Sequence, residues 1–179
     1  VRLKERELMI TTIRSGGQTG VDRGALDAAR AAGVPVTGWC PSGGWAEDHP
    51  VAPGLLTSYP ELRETPSAET AQRTEWNVRD AAATIILTAG DGPSPGTELT
   101  VEFARRWGRP HLVLDAGAWG SGGAGDGELT AELAEVRPWL LALGDRLEVN
   151  IAGPRASEWA GAYGASHAFV TALLDTGVR

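Results

Sequence analysis

Two kinds of hydrophobic pattern alternate along this chain. Short runs rich in β-branched residues, bounded by turn formers, give way to longer stretches whose apolar positions recur every three or four residues. The first pattern marks strands and the second marks amphipathic helices. Met9 to Ile13 reads as a strand, and Val21 to about Ala32 as an alanine-rich helix stopping before Gly33 and Pro35. A short strand is predicted at Pro35 to Trp39, followed by an irregular stretch over 40–66 that is crowded with Pro and Gly. Ser67, after Pro66, is the expected N-cap of a helix running to about Ala82, with Ala71, Val78, Ala81 and Ala82 as its apolar stripe. Thr84 to Thr88 reads as a buried strand. A helix opening at Gly96-Thr97 turns Leu99, Phe103, Ala104 and Trp107 to the sheet and stops at Gly108 and Pro110. His111 to Asp115 is the next strand, 116–127 a flexible Gly-rich surface loop, and Glu128 to about Leu143 a helix. A strand at Leu147 to Ile151 and a helix from about Ser166 to Asp175 complete the order. Strand-helix alternation of this kind predicts an α/β fold with a largely parallel sheet.

The most informative segment lies between the first strand and its helix, Ser15-Gly-Gly-Gln-Thr-Gly20. Strand, glycine-rich turn and helix N-terminus can form a cradle of N–H groups for an anion, or simply a tight turn made for packing. A P-loop is absent, because no Gly-Lys pair follows and the only lysine is Lys4. Ser15, Gly17 and Gly20 match two of the three dinucleotide glycines, and the ribose-binding acid expected some twenty positions on is missing from Val34 to Cys40. Kinases and conventional NAD enzymes are disfavoured.

Two further loops follow predicted strands, Ala89 to Thr97 and Ala152 to Arg155, and in a parallel sheet all such loops share one edge. Gly16, Gly17, Gln18, Thr19 and Gly20 together with Gly96 and Thr97 are the candidate phosphate cradle. Asp22, Arg23, Gly153 and Arg155 flank it. Arg73, Trp76, Asn77 and Asp80 share one face of the helix after Ser67 and read either as a solvated face or as a wall for a ring-bearing ligand. Glu47 and Asp48, in the long loop, are candidate general acids or bases, hence candidate catalytic residues, or plain exposed carboxylates. His49, His111 and His167 are scattered and Cys40 has no zinc-ligand spacing, so no metal site is expected.

Composition narrows the partners. The 179 residues suffice for one domain, and a net charge of −7 argues against broad binding to nucleic acid or anionic lipid. No apolar run approaches a membrane span. One cysteine and a charged N-terminal segment with no signal-peptide core following it fit a cytoplasmic location.

Ser15 to Arg23, Gly38-Trp-Cys-Pro41 with Ala46-Glu-Asp48, Thr65-Pro-Ser67, Gln72 to Asp80, Gly96-Thr-Glu-Leu-Thr100 and Asn150 to Arg155, taken in order, resemble the putative molybdenum cofactor carrier protein family. That resemblance covers about residues 9–176. It implies a single Rossmann-like domain, with a largely parallel sheet and helices on both faces. It also implies a homo-oligomer and a phosphate-bearing pterin or nucleotide-like ligand. The leading expectation is therefore a non-catalytic carrier or storage protein for the molybdenum cofactor (molybdopterin) or its precursor. The alternative is a nucleotide-processing hydrolase of N-glycosidic bonds, or a nucleotide-sensing module. The fold is also similar to that of the cytokinin-activating phosphoribohydrolases, whose Pro-Gly-Gly-x-Gly-Thr-x-x-Glu signature carries a glutamate that takes part in cleavage. Here Thr100 stands at that place, so hydrolysis would need Glu47 or Asp48 to substitute.

Overall fold

The computed structural model describes residues 7–90, 92, 94–119 and 124–175. In chain order its elements are β1 (Met9–Arg14), α1 (Val21–Ala31), β2 (Val36–Thr37), β3 (Trp39–Cys40), β4 (Arg63–Glu64) and α2 (Thr70–Asp80). There follow β5 (Ala83–Thr88), α3 (Pro95–Arg106), β6 (His111–Asp115), α4 (Ala124–Leu143), β7 (Arg146–Ala152) and α5 (Ala162–Leu174). Five strands form one parallel sheet in the order β2-β1-β7-β5-β6, while β3 and β4 pair separately. If β7 and α5 preceded β1 in the chain, that order would read 3-2-1-4-5, the arrangement of a Rossmann half-sheet continued across its midpoint.

Helices cover both faces, and the handedness of parallel crossovers decides which goes where. Connections that move toward β2 place α1 and α4 on one face, and α5 joins them. Connections that move toward β6 place α2 and α3 on the other. The larger core accordingly joins Ile13, Ile85, Leu87, Val149 and Ile151 of the sheet to Ala25, Leu140 and Phe169 of α1, α4 and α5. A smaller cluster of Val78, Phe103 and Ala104 ties α2 to α3. β5 is buried along its whole length, as expected of a central parallel strand covered on both faces.

Several expected boundaries move, each for a local reason. The strand expected over Pro35 to Trp39 is two strands, because Gly38 passes against the Ser15 carbonyl where a Cβ would collide, and the chain leaves one sheet for the other there. The α2 helix starts at Thr70 rather than Ser67. Ser67 instead accepts from the Glu69 N–H at 3.0 Å while Gln72 Oε1 accepts from its own N–H at 2.9 Å, closing a turn ahead of the helix. Trp107 does not face the sheet. It caps α3, is 45% exposed and donates its indole N–H to Glu75. Nor is 116–127 simply a surface loop. Ala116 and Trp119 are buried, Trp119 stacks on Phe169 at 5.5 Å between centroids, and α4 begins at Ala124. The remainder of that loop, 120–123, lies outside the described residues. The last helix starts a turn early, at Ala162, because its first turn packs on α1, where the Tyr163 backbone lies against Gly24. Among the described residues no helix is long and apolar enough to cross a membrane.

Close packing of α1 on α5 rests on Gly24, where an added Cβ would run into the Tyr163 carbonyl. In an isolated helix Gly→Ala stabilises by about 1 kcal/mol. We expect Gly24→Ala to destabilise by about 1–3 kcal/mol instead, lowering the melting temperature by several degrees. Gly164→Ala, in open space on α5, should not lower it. Thermal melts of the two variants check the contrast.

Candidate functional site

The chain leaves the ends of β7 and β5 toward opposite faces of the sheet, so a crevice opens between them. It encloses about 360 Å³, within the range of small-ligand pockets. Its walls come from four places: the loop after β1 (Gly16, Gln18, with Asp22 behind), the exposed side of α2 (Thr70, Arg73, Thr74, Asn77), the start of α3 (Ser94 to Gly96, Leu99, Thr100) and the segment from Asn150 to Glu158. Trp45 reaches in from the long loop.

The glycine-rich loop divides its labour. Gly16, Gln18 and Asp22 line the crevice, whereas Gly17 packs against Leu55 and Leu62 and Gly20 against the backbone of 154–156. The first amide of α1 is not available to an anion: the Val21 N–H donates to the Pro154 carbonyl at 3.1 Å. Thr19 accepts from the Ala156 N–H and donates to Glu47. Gln18 is 8% exposed, and its Oε1 accepts from both the Thr19 and Glu47 N–H groups at 3.0 Å. Those two donors fix the amide orientation, so Nε2, which has no partner among the described residues, is the group left for the crevice.

Asp22, 3% exposed, accepts from Arg73 at 3.0 Å and from the Gln18 N–H at 3.3 Å. Burial pushes its carboxyl up, the Arg73 charge and these hydrogen bonds pull it down, and burial wins. Arg73 is therefore held against the floor by a buried carboxylate. Arg23, expected beside the phosphate, instead pairs with Asp48 at 2.9 Å and donates to the Gly17 carbonyl.

The polar face of α2 mostly grips β3 rather than the crevice. The Asn77 amide accepts from Trp39 N–H and donates to Trp39 C=O, at 2.8 and 2.9 Å, which mimics a strand partner while one edge still lines the crevice. Trp76 makes an edge contact with Trp39 and lies under Arg79. Asp80 accepts from the Trp39 indole and from Arg79. Neither Trp76 nor Asp80 lines the crevice.

Glu47 and Asp48 are likewise committed elsewhere. Glu47 accepts from the Thr19 and Ser157 hydroxyls and the Ser157 N–H; burial raises its carboxyl, but these bonds outweigh it and hold it below the ordinary range. Asp48 feels some burial too, yet the hydrogen bonds and charge of Arg23, with His49 Nδ1 3.0 Å away, hold it at about 2. Both are ionised staples of the long loop, outside the crevice lining. Cys40 is buried and its thiol is pushed up to about 11, chiefly by that burial.

At the start of α3, Ser94 caps the helix, taking the Thr97 N–H. Thr97 itself is buried, and the Gly96 N–H is left without a partner among the described residues. Thr100, at the place of the phosphoribohydrolase glutamate, donates its hydroxyl to the Gly96 carbonyl at 2.8 Å. Gly153 and Arg155 line the opposite side as expected, with Glu158 accepting from the Arg155 N–H at 3.1 Å. The crevice thus holds two guanidiniums, Arg73 and Arg155, and two carboxylates, Asp22 and Glu158. Oriented donors, not net charge, make it fit an anion.

Sequence reasoning missed Trp45, Asn150 and Glu158. Trp45 carried a signal in its position between Gly43-Gly44 and the Ala46-Glu-Asp48 motif. Asn150 was a polar residue at the end of a core strand, and Glu158 stands three residues beyond Arg155.

A family model described as the circularly permutated YpsA SLOG family matches residues 13–174. The chain belongs to that family. Its permuted order is the one seen in the sheet, where the C-terminal β7 lies between β1 and β5. Among solved structures, the fold is shared with a protein from Syntrophus aciditrophicus SB described as a "Putative molybdenum carrier protein". The two chains are 33% identical with a TM-score of 0.78, over 92% of this chain and 95% of that one. This agrees with the resemblance read from the motifs. No curated protein matches the chain.

Arg73→Met should leave the Asp22 carboxylate buried without its counter-charge, at a cost of about 3–5 kcal/mol. The folded state already holds the Asp22 carboxyl above its ordinary 3.8, so the folded chain binds that proton more tightly than the unfolded chain. The deficit is therefore expected to grow as the pH rises from about 4 to 7 and to shrink in the Asp22→Asn background. Urea unfolding at both pH values reads this directly; a deficit independent of pH would contradict it.

Proposed function

We propose that the chain binds a phosphate-bearing pterin, the molybdenum cofactor or its precursor, in the crevice between β7 and β5 and carries it without transforming it. The observation that carries this reading is the convergence on one crevice of the Gly96 N–H at the helix start and Gln18 Nε2, both without a partner among the described residues, with the Arg155 guanidinium, whose ion pair to Glu158 is long at 3.7 Å. Donors of this kind suit phosphate oxygens. Trp45, the aromatic residue in the lining, supplies a face for the ring, the role first expected of Trp76. The name of the Syntrophus protein favours a molybdenum-related ligand over other phosphate-bearing rings.

The absence of turnover is supported by Thr100 at the glutamate's place and by the ion pair and hydrogen bonds that occupy Glu47 and Asp48. One observation favours the second reading, a nucleotide-processing hydrolase: the Glu158 carboxylate lines the crevice, where a general acid would have to sit.

Protein oxidised and extracted after purification should release a fluorescent pterin. Arg155→Ala should retain less, with affinity for added cofactor falling about 10- to 100-fold. Failure to release any pterin or to bind added cofactor would sink the carrier reading. Release of free base from nucleoside monophosphates, lost in Glu158→Gln, would establish the hydrolase in its place.

A further inference from the structure

The crevice has an open, charged end and a closed, uncharged one. The Arg155 and Glu158 side chains are 42% and 35% exposed, and Gly96 is exposed as well. Asn150, Asn77 and Thr100 line the same crevice at only 1%, 2% and 3% exposure. The buried charges of the lining, Asp22 and Arg73, pair with each other.

Asn150 breaks the pattern of its strand. Its neighbours Val149 and Ile151 point into the larger core, so by alternation Asn150 points to the other face of the sheet, the one covered by α2 and α3. There its Nδ2 donates to Oγ1 of Thr84, its partner on β5, at 3.3 Å, and that bond assigns the orientation of the amide. Oδ1 has no partner among the described residues, yet it is not sealed off, since it keeps some accessible surface. The crevice is the space that Asn150 lines. A nearly buried carboxamide oxygen left without a donor weakens the fold, so its presence is explained by a donor that arrives from outside. Asn77 supplies a complementary group. Its amide exchanges one bond each way with the Trp39 backbone, which leaves the second Nδ2 proton unused among the described residues.

Neither amide carries charge, so the charged and exposed donors at the open end suit phosphate better. A neutral acceptor and a neutral donor, both nearly dry, suit the edge of a heterocycle that presents an N–H beside a C=O. Building on the pterin-binding reading, we propose that the ligand lies with its phosphate at the open end and its ring in the closed end. Asn150 is then the specificity-determining residue, its Oδ1 accepting the lactam N–H of the ring. A ring without that proton leaves the oxygen dry and unpaired.

Titration calorimetry with three probes tests this: hydroxymethylpterin monophosphate, its lactam-N-methyl derivative and inorganic pyrophosphate. Wild type should bind the parent pterin at least about tenfold more tightly than the methylated one. In Asn150→Ala the parent should weaken about 10- to 100-fold, while the methylated pterin and pyrophosphate hold their affinities. A purely structural role for Asn150 would weaken all three probes together. The wild-type comparison needs no variant, so it decides the matter even where Asn150→Ala folds poorly. Equal binding of the two pterins by wild type, or a preference that survives in Asn150→Ala, would overturn this assignment and leave pterin carriage standing. Failure of both pterins to bind would overturn the carrier reading and this assignment with it.

Discussion

Right-handedness of the parallel crossovers is the constraint on which the rest of this molecule depends. Because each strand connection must turn the same way, α1 and α4 fall on one face of the sheet, where α5 packs beside them, and α2 and α3 on the other. The chain must then part somewhere along the strand ends, and it parts between β7 and β5. The crevice is the geometric consequence of that parting. It persists although β7 arrives last in the chain rather than first, because permutation changes the connectivity and leaves the directions of the connections unchanged.

A crevice becomes a site only when its walls are held still. Here the long loop after β3 does much of that work. Glu47 joins it to the loops after β1 and β7 through Thr19 and Ser157, Arg23 clamps it through Asp48, and Arg30 reaches it through Glu61. The Tyr59 hydroxyl donates to Asp27 on α1 from the same loop. These bonds account for charged residues that would otherwise suggest chemistry. They also fix Gln18 with its donor turned inward and bring Trp45 to the crevice, so the loop's polar residues are functional mainly by positioning others.

Much of this was legible in the sequence. Short β-branched runs located the strands of the main sheet and period-3.6 patterns its helices, since both report burial directly. Gly16, Gln18, Gly96, Gly153 and Arg155 were readable as neighbours at one crevice because loops after parallel strands share an edge, and Arg73 because of the helical face it occupies. Asn77, Trp76 and Asp80 share one helical face as expected, yet what that face meets depends on β3, a two-residue strand with no periodic signal. Glu47, Asp48 and Arg23 illustrate the same limit. A side chain's type shows what bonds it can make, while its partner, tens of residues away, decides which one it makes. Trp119 was hidden for the opposite reason: glycine-rich surroundings suggested exposure, and a single aromatic residue among them is anchored in the core.

The central claim is that the crevice between β7 and β5 holds a phosphate-bearing ring compound by oriented donors. Native mass spectrometry of freshly purified protein tests it most directly. The account predicts a mass excess matching one phosphate-bearing pterin per chain, released on denaturation and reduced in Gln18→Leu, which removes a donor without removing a charge. Protein of bare chain mass that stays bare after incubation with the cofactor, or a bound species held equally well by Gln18→Leu and Arg155→Ala, would contradict it.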